Sequence, residues 1–485
     1  MKRLLTIALT AGLAVVACND NPNAPPIDAP TVDALKNLTP TTLTQLAIGV
    51  TAQDRAAYAS NGPVVLSGIL ARDVYRIDAS EPRYVLETLA GQADPGSFAG
   101  GSGWGPFYTA TRAANNAIIA LRTAPATIFT TEEVASARGF FRTMKALDFY
   151  RVLEQRDSVG IALQTDNPQE LTPIYCKPFV INYIAALLDS AYADLQVASN
   201  ADPAAVVAFG LPTSWNGQDH GRDYRKVANL ILFNRGLKGK VDFYRAMQNR
   251  AAPDATLLNA AVAELTQALG GRAAGAVPAS DFPKGIYYHF AAVELLNLRA
   301  DQKISANNRL RDSLTFAAVD ASAPWDPTDT RLAKVIARPG GPLSAQGLSS
   351  THTFSFATAT PANQLLPLPL LKDEELVLLR AQAYAELNDL TSARADAQSV
   401  HAAYGSTSLP VFTSKDMARR YILREKRLSL LFEGPQRLVD LRAYGYLDAA
   451  HVPAELPTDP FNKAFPIPRG ELNARPSFSG SCQPS

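Results

Sequence analysis

The residues best suited to catalysis or metal binding lack the spacing that either chemistry needs. The 485-residue chain contains five histidines, and no pair of them has the H-E-x-x-H or other helical spacing that places two imidazoles on one metal ion. Paired carboxylates can hydrolyse glycosides. Glu374 and Glu375, however, stand at the start of a predicted helix, where the helix dipole stabilises negative charge. The sequence therefore predicts no catalytic site, no metal site and no cofactor.

A denser group of charges lies in the stretch REKRLSLLFEGPQRLVDLRAYG, residues 424–445. Apolar residues form one stripe of a predicted helix over 417–432, and Arg424 and Glu425 lie on or beside that stripe. An isolated buried ion costs several kcal/mol, so these charges must be paired. The segment supplies both signs, and Gly434-Pro435 ends the helix. We predict a structural ion network of Arg424, Glu425, Arg427, Glu433, Arg437, Asp440 and Arg442.

The elements that position this stretch are predicted to be helices, because helical patterns dominate the chain from residue 41 onward. Predicted helices cover residues 41–59, 106–123, 131–155, 179–197, 222–247 and 255–269. The clearest pair joins a helix over 374–387, through an Asn388-Asp389 turn, to a helix that is capped by Thr391 or Ser392 and ends near Tyr404. Small residues that would let this pair pack closely are Ala381, Ala385, Ala393 and Ala397. The segment 371–405 resembles a tetratricopeptide repeat.

Long segments rich in Gly, Pro and Ser separate these helices. They cover residues 90–105, 199–221, 271–285 and 317–364, and the last contains short strand-like pieces such as 353–356. Loops of this length in a compact chain are usually functional or covering elements. The predicted fold is mainly α: one domain over 41–485, built from tetratricopeptide-like helix pairs, with long irregular loop excursions and few short strands.

The N-terminus has the pattern of a secretory signal. Lys2 and Arg3 precede an apolar run over 4–17 that is too short to span a bilayer. Val15-Val16-Ala17-Cys18 resembles a lipobox, so we predict a lipoprotein signal peptide over 1–17 and lipidation of Cys18. The alternatives are an ordinary signal peptide with a chance Cys, or a buried strand. The Pro-rich segment 18–40 is predicted to be an extended tether.

The near-neutral net charge of the chain argues against binding to nucleic acid or to a charged membrane surface. The 46 Lys and Arg nearly cancel the 45 Asp and Glu, and without a basic block the chain is not expected to bind nucleic acid. Removing Lys2 and Arg3 with the signal peptide leaves 44 minus 45, or −1, so membrane attachment is assigned to the lipid alone. Outside the cytoplasm, Cys176 and Cys482 could form a disulfide or remain two separate thiols.

Several motifs of the chain resemble the SusD/RagB family. The C-terminal signature of that family is similar to Arg424-Glu425-Lys426-Arg427, Leu430 to Gly434, Arg437, Asp440-Leu441-Arg442 and Gly445. Phe465-Pro466-Ile467-Pro468 resembles its closing motif, and Trp104, Tyr108 and Asn115-Asn116 resemble its N-terminal helical block. The chain departs from the family at Val439, where an aromatic residue is usual, and in the longer turn before Arg437.

The resemblance implies a function in nutrient uptake. It implies an outer-membrane, lipid-anchored and surface-exposed protein that binds nutrient oligomers, mostly glycans, without catalysis. Its expected partner is a SusC-like TonB-dependent outer-membrane transporter, to which it delivers the ligand. The helical repeats would form the scaffold, and the excursions would form the ligand site.

Aromatic and polar residues in the excursions are therefore the candidate ligand contacts, because sugar rings stack their C–H faces on aromatic side chains. The candidates are Trp215, Trp325, Arg72, Asp73, Tyr75, Tyr287 and Tyr288. Each could instead pin its loop to the core, and Trp104 is expected to be structural.

Two other functions fit parts of the sequence. A helical-repeat outer-membrane scaffold that binds only proteins would have the same helices but no ligand pocket. A secreted polysaccharide hydrolase would turn over its substrate, and the lack of a catalytic constellation argues against it.

Overall fold

The computed structural model describes residues 35–475, apart from 97, 168, 219, 293–294 and 312–322, together with Cys482. The predicted signal peptide, Cys18 and all but the last residues of the predicted tether lie outside the described residues. Leu38 is already buried in the core, so the folded domain begins before residue 41. No helix in the described part of the chain combines the length and the apolar composition needed to cross a membrane.

Nine long helices in the described part of the chain carry the architecture, and their bounds follow the sequence prediction closely. Six of them lie in the first 270 residues: α1 (Pro40–Tyr58), α4 (Gly105–Ala120), α5 (Thr131–Arg156), α6 (Lys177–Ala201), α7 (Val227–Ala246) and α8 (Ala255–Ala268). The tetratricopeptide-like pair is α10 (Asp373–Glu386) and α11 (Leu390–Tyr404). The charged stretch contributes α12 (Lys415–Ser429) and α13 (Gln436–Tyr444). Short helices are α2 (Ser67–Leu70), α3 (Arg83–Leu86), α9 (Pro361–Gln364) and α14 (Arg469–Ala474).

Side-chain caps set where several of these helices begin. Thr130 caps α5 in a capping box, in which its side chain accepts from the Glu133 amide and the Glu133 side chain accepts from the Thr130 amide. The predicted cap of α11 at Thr391 or Ser392 is wrong: Asp389 is the cap and accepts from the Ser392 amide. The turn before it places Asn388 at φ 65°, a conformation that Asn tolerates.

Consecutive helices pack as pairs. In chain order α4 lies against α5, α5 against α6, α6 against α7 and α7 against α8, and α8 then contacts α10. Glycines bring two of these pairs close: a Cβ at Gly139 of α5 would lie 2.7 Å from Leu195 Cγ of α6. A Cβ at Gly239 of α7 would lie 2.6 Å from Leu265 Cγ of α8. The fold is therefore the predicted helical-repeat scaffold.

The pair α10–α11 packs through the small residues predicted for it. Ala381, Ala385, Ala393 and Ala397 are all fully buried in one apolar cluster, which Ile422 of α12 completes. Alanine side chains let two helix backbones approach closely, because nothing larger separates them. The sequence prediction of close packing in this pair is confirmed.

Short antiparallel strand pairs lie in the segments between the long helices. They are β1 (Val74–Arg76) with β5 (Ile304–Ala306), β2 (Ile161–Ala162) with β3 (Ile174–Tyr175), β4 (Gly285–Tyr288) with β10 (Leu368–Lys372), β6 (Val335–Ala337) with β9 (His352–Phe354), and β7 (Leu343–Ala345) with β8 (Leu348–Ser350). Each pair has two strands, so the strands fasten loops to the helical scaffold and form no large sheet.

A disulfide joins Cys176, at the start of α6, to Cys482 near the C-terminus. The two cysteines are 306 positions apart in sequence. The bond therefore fixes the C-terminal end of the chain to the middle of the helical scaffold.

We expect the Cys482→Ser variant to lose about 2–4 kcal/mol of unfolding free energy, because the cross-link restricts the unfolded chain over a long loop. Urea unfolding of oxidised and reduced samples measures this. Reducing agent should lower the unfolding midpoint of the wild type and leave the variant unchanged. An equal response of both proteins would show that the bond adds no stability.

Candidate ligand-binding site

The charged stretch forms an interior ion network. Arg424 and Glu425 pair side by side on α12, and Lys426 Nζ lies 3.0 Å from the Asp440 carboxylate of α13. Glu425 also accepts from Arg331 Nη2 at 2.5 Å and has His401 Nδ1 at 3.2 Å. The side chain of Glu425 is fully buried.

Most of the network's further partners come from outside the stretch, which the sequence could not indicate. Arg427 pairs with Asp73 at 2.6 Å, and Glu433 pairs with Lys372 of β10 at 2.8 Å. Arg442 donates to the backbone carbonyl oxygen of Lys463, at 3.0 Å. Arg437 is buried as well. The stretch thus ties α12 and α13 to three other parts of the fold and exposes little charge to a ligand.

One part of this network has the residue types of a metal site. Asp329, His401 and Glu425 place ligand atoms within 4.8 Å of one another. Arg331 already occupies the space between the two carboxylates, with Nη2 at 2.6 Å from Asp329 and 2.5 Å from Glu425. A guanidinium that neutralises both carboxylates does the work of a cation, so the cluster is a salt-bridge centre.

The paired carboxylates Glu374 and Glu375 are likewise structural. Glu374 lies 3.2 Å from Lys372, and Glu375 lies 3.1 Å from Lys240 of α7, with all of these side chains buried. Glu374 is ion-paired with a strand residue and Glu375 with another helix, so their role extends beyond the helix dipole.

Three of the predicted ligand residues meet in one aromatic cleft. Trp215, Tyr287 and Tyr288 line a cavity of about 480 Å³ between α1, the loop around 212–215 and the end of β4. Residues of α1 that the sequence did not single out complete the wall: Ile48, Thr51, Ala52, Arg55 and Ala56. The spacing of apolar residues in α1 predicts a core helix, and nothing in its sequence marks its other face as part of a cleft.

Polar groups also line the aromatic cleft. Arg55 Nη1 donates to the His289 carbonyl oxygen at 3.0 Å, which fixes the guanidinium at the cleft wall. Thr213 and Ser214 contribute hydroxyl groups from the loop side. His220 stacks on Tyr287 with ring centroids 3.5 Å apart. An apolar cleft with a few fixed polar groups is the general form of a small-molecule site.

Trp215 is held rigidly in this cleft. Its ring packs edge-on against Phe140 of α5 at 5.7 Å and Phe233 of α7 at 5.8 Å, between centroids. Only 3% of the residue is exposed. Trp215 therefore anchors the excursion to the helices and can present only an edge to the cleft.

Tyr288 connects the cleft to a buried carboxylate pair. Its hydroxyl donates to Asp54 Oδ2 at 2.8 Å, and Asp54 in turn contacts Asp148 of α5. Burial raises the pKa of both carboxyls, and the neighbouring Asp54 raises the pKa of Asp148 further. The two carboxyls therefore retain a shared proton to higher pH than two separate, solvated carboxyls would.

We expect the Asp148→Asn variant to be more stable than the wild type at alkaline pH. A carboxyl whose pKa is raised by folding stabilises the fold fully below its unfolded pKa of about 3.9, and this contribution is lost as pH rises through the folded pKa. The wild type should lose up to about 1.4 kcal/mol per pH unit relative to the variant in that range. Urea unfolding between about pH 5 and pH 9 measures the difference. Parallel stability profiles would contradict a shared proton.

The other predicted ligand residues lie elsewhere. Arg72 is buried and bonds Asp459 through Nη2 at 2.6 and 2.7 Å, and Asp73 is the partner of Arg427. Tyr75 lines a separate polar pocket. Trp325 is half-buried and packs against the core, outside the lining of the aromatic cleft. Trp104 is buried, with the Arg156 guanidinium 5.3 Å from its ring centroid, in agreement with a structural role.

Sequence comparisons identify no relative: no family profile matches the chain, and no curated protein matches it. Structural comparison finds proteins with a similar fold. A SusD superfamily protein from Bacteroides fragilis aligns with TM-score 0.64 and 13% identity, over 91% of this chain and 98% of its own. A SusD homologue from Bacteroides thetaiotaomicron aligns with TM-score 0.65 and 13% identity, over 92% and 97%.

A second B. thetaiotaomicron protein of the superfamily gives TM-score 0.62 at 16% identity, over 91% of this chain and 99% of its own. Each of these alignments covers more than nine-tenths of this chain. The resemblance expected from the C-terminal motifs is confirmed at the level of the fold: the chain has the SusD-like fold.

Proposed function

We propose that the protein is a lipid-anchored, surface-exposed binding protein of the outer membrane. It captures nutrient oligomers, most of all glycans, in the aromatic cleft and delivers them to a SusC-like TonB-dependent transporter. It acts by binding, without catalysis. The observation that carries the proposal is the SusD-like fold over more than nine-tenths of the chain, combined with an aromatic cleft in its excursions.

The chemistry of the cleft supports a saccharide ligand. Tyr287 supplies aromatic surface for a C–H face of a sugar ring and Tyr288 a small exposed part of its ring, while Arg55, Thr213 and Ser214 supply donors and acceptors for hydroxyls. The hydrogen bond from Tyr288 to Asp54 and the packing of Trp215 on Phe233 fix these two rings before a ligand arrives. Little side-chain entropy is therefore lost on binding.

Blocking the cleft tests the proposal. Ala56 lies on the exposed face of α1 and lines the cleft, so Ala56→Trp fills the cavity without removing a core contact. We expect the wild type to bind one or more members of a soluble plant, fungal and host oligosaccharide panel by calorimetry, and the variant to bind at least about tenfold more weakly. Ala402→Trp, at an exposed position of α11, is the matched control and should bind normally.

Three results would overturn the proposal. Equal binding by Ala56→Trp and the wild type would exclude the cleft as the ligand site. An absence of binding to the oligosaccharide panel and to a peptide panel, together with failure to co-purify with an outer-membrane barrel from its native host, would favour the scaffold alternative. Turnover of a polysaccharide would favour the hydrolase alternative.

A further inference from the structure

A second pocket of different character lies away from the aromatic cleft. It has a volume of about 360 Å³ and is lined mainly by polar side chains: Tyr75, Asn307, Asn308, Arg309, Ser349 and Glu455. They come from β1, the segment after β5, the β7–β8 hairpin and the C-terminal region. Four distant parts of the chain thus meet at one polar surface.

The floor of this polar pocket is fixed by hydrogen bonds. Glu455 accepts from Arg309 Nη1 at 2.9 and 3.1 Å and from Asn307 Nδ2 at 3.1 Å. The Tyr75 hydroxyl also bonds Glu455, whose side chain is only 6% exposed. The Glu455 carboxylate therefore neutralises Arg309 and orients it, and its own acceptor capacity is largely used.

The backbone carbonyl groups of Arg72 and Asp73 hold Asn307 in this floor. Asn307 Nδ2 donates to the Arg72 carbonyl oxygen at 2.7 Å, and the Asn307 amide donates to the Asp73 carbonyl oxygen at 3.1 Å. Both side chains are anchored by ion pairs in the interior. These two residues, which the sequence suggested as ligand contacts, thus position the pocket without lining it.

The pocket presents donors to solvent. Arg309 uses Nη1 for Glu455, and within the described residues no protein acceptor takes its Nε or Nη2 hydrogens. Its side chain is 29% exposed. Asn308 is exposed, and its Nδ2 makes one long bond, at 3.3 Å, to the Ser349 carbonyl oxygen. A planar guanidinium edge beside an amide matches a pair of adjacent oxygen acceptors.

We propose that this polar pocket is a second ligand-binding site, which takes one neutral sugar ring through two vicinal hydroxyls. The hydroxyl oxygens accept from Arg309 Nε and Nη2. The ligand is neutral because Glu455 already balances the charge of Arg309. The inference takes its ligand class from the proposed function, and it gives the protein two separate contacts for one oligomer or two.

The test uses small probes and two blocking variants. Methyl glycosides of glucose, galactose and mannose are the probes, with methyl glucuronide as the charged comparison and cyclohexanol as the ring without a diol. Saturation-transfer NMR measures their binding. Ser349→Trp fills the polar pocket from an exposed position of β8, and Ala56→Trp fills the aromatic cleft.

We expect at least one neutral methyl glycoside to bind the wild type and Ala56→Trp, and to bind Ser349→Trp at least about tenfold more weakly. Arg309→Lys keeps a cation for Glu455 but removes the planar donor edge, so it should fold normally and bind as weakly as Ser349→Trp.

Each other outcome overturns the inference. If no neutral methyl glycoside binds the wild type, or if cyclohexanol binds equally well, the polar pocket is not a sugar site. Binding of methyl glucuronide alone would exclude a neutral ligand. Loss of binding only in Ala56→Trp would place the sugar in the aromatic cleft, which refutes the second site and leaves the proposed function standing.

Discussion

The Glu425→Ala variant is expected to lose about 3–5 kcal/mol of unfolding free energy, enough to reduce the yield of folded protein severely. Removing this carboxylate leaves Arg424 buried without its ion-pair partner and leaves Arg331 paired with Asp329 alone, beside His401. Although burial alone would raise the pKa of Glu425, Arg331, His401 and Arg424 together lower it to about 2. The carboxylate therefore stabilises the fold above its unfolded pKa, and that stabilisation is lost as pH falls through about 2.

Urea unfolding monitored by circular dichroism measures the effect of Glu425→Ala. Glu81→Ala is the matched control, since Glu81 pairs with Arg83 at 2.6 Å on the surface and should contribute at most about 1 kcal/mol. The folded fraction of Glu425→Ala should bind ligand like the wild type, because Glu425 lines neither the aromatic cleft nor the polar pocket. A variant as stable as the control would refute the network's structural role.

The helical scaffold could be predicted from the sequence because its signals are local. Apolar periodicity and the absence of internal proline located the long helices, and small residues marked the α10–α11 interface. The ion network could be predicted only in part. A charge on an apolar stripe requires a partner, but nothing local reveals that Glu425 meets Arg331 or that Arg427 meets Asp73. Lys426 was missing from the predicted network, although its amine contacts Asp440.

The candidate sites could not be predicted from the sequence for the same reason: their residues are distant in sequence and meet only in the folded chain. Trp215, Tyr287 and Tyr288 are candidates by residue type, but their meeting at α1 depends on how two excursions fold over a helix. Arg72 and Tyr75 are close in sequence, yet one anchors the interior and the other lines a pocket. Arg309 and Glu455, 146 positions apart, carry no local signal of a shared pocket.

The Trp215→Ala variant is expected to lose about 3–5 kcal/mol of unfolding free energy, because it would leave a cavity between α5 and α7. The sequence alone made Trp215 a candidate ligand contact. The burial of Trp215 among Phe140, Tyr224 and Phe233 changes that expectation. Its carbonyl oxygen also accepts from the Tyr224 backbone amide at 2.8 Å, within the loop segment that precedes α7.

Urea unfolding and ligand calorimetry on the same samples separate the two roles of Trp215. Trp215→Phe keeps an aromatic ring in the cavity and should cost clearly less stability than Trp215→Ala, with the cleft largely preserved. Ala56→Trp should show the reverse behaviour: near-normal stability and impaired binding. If Trp215→Ala matched the wild type in stability while losing affinity, its side chain would act as a ligand contact without anchoring the excursion, and the assignment made from its burial would be wrong.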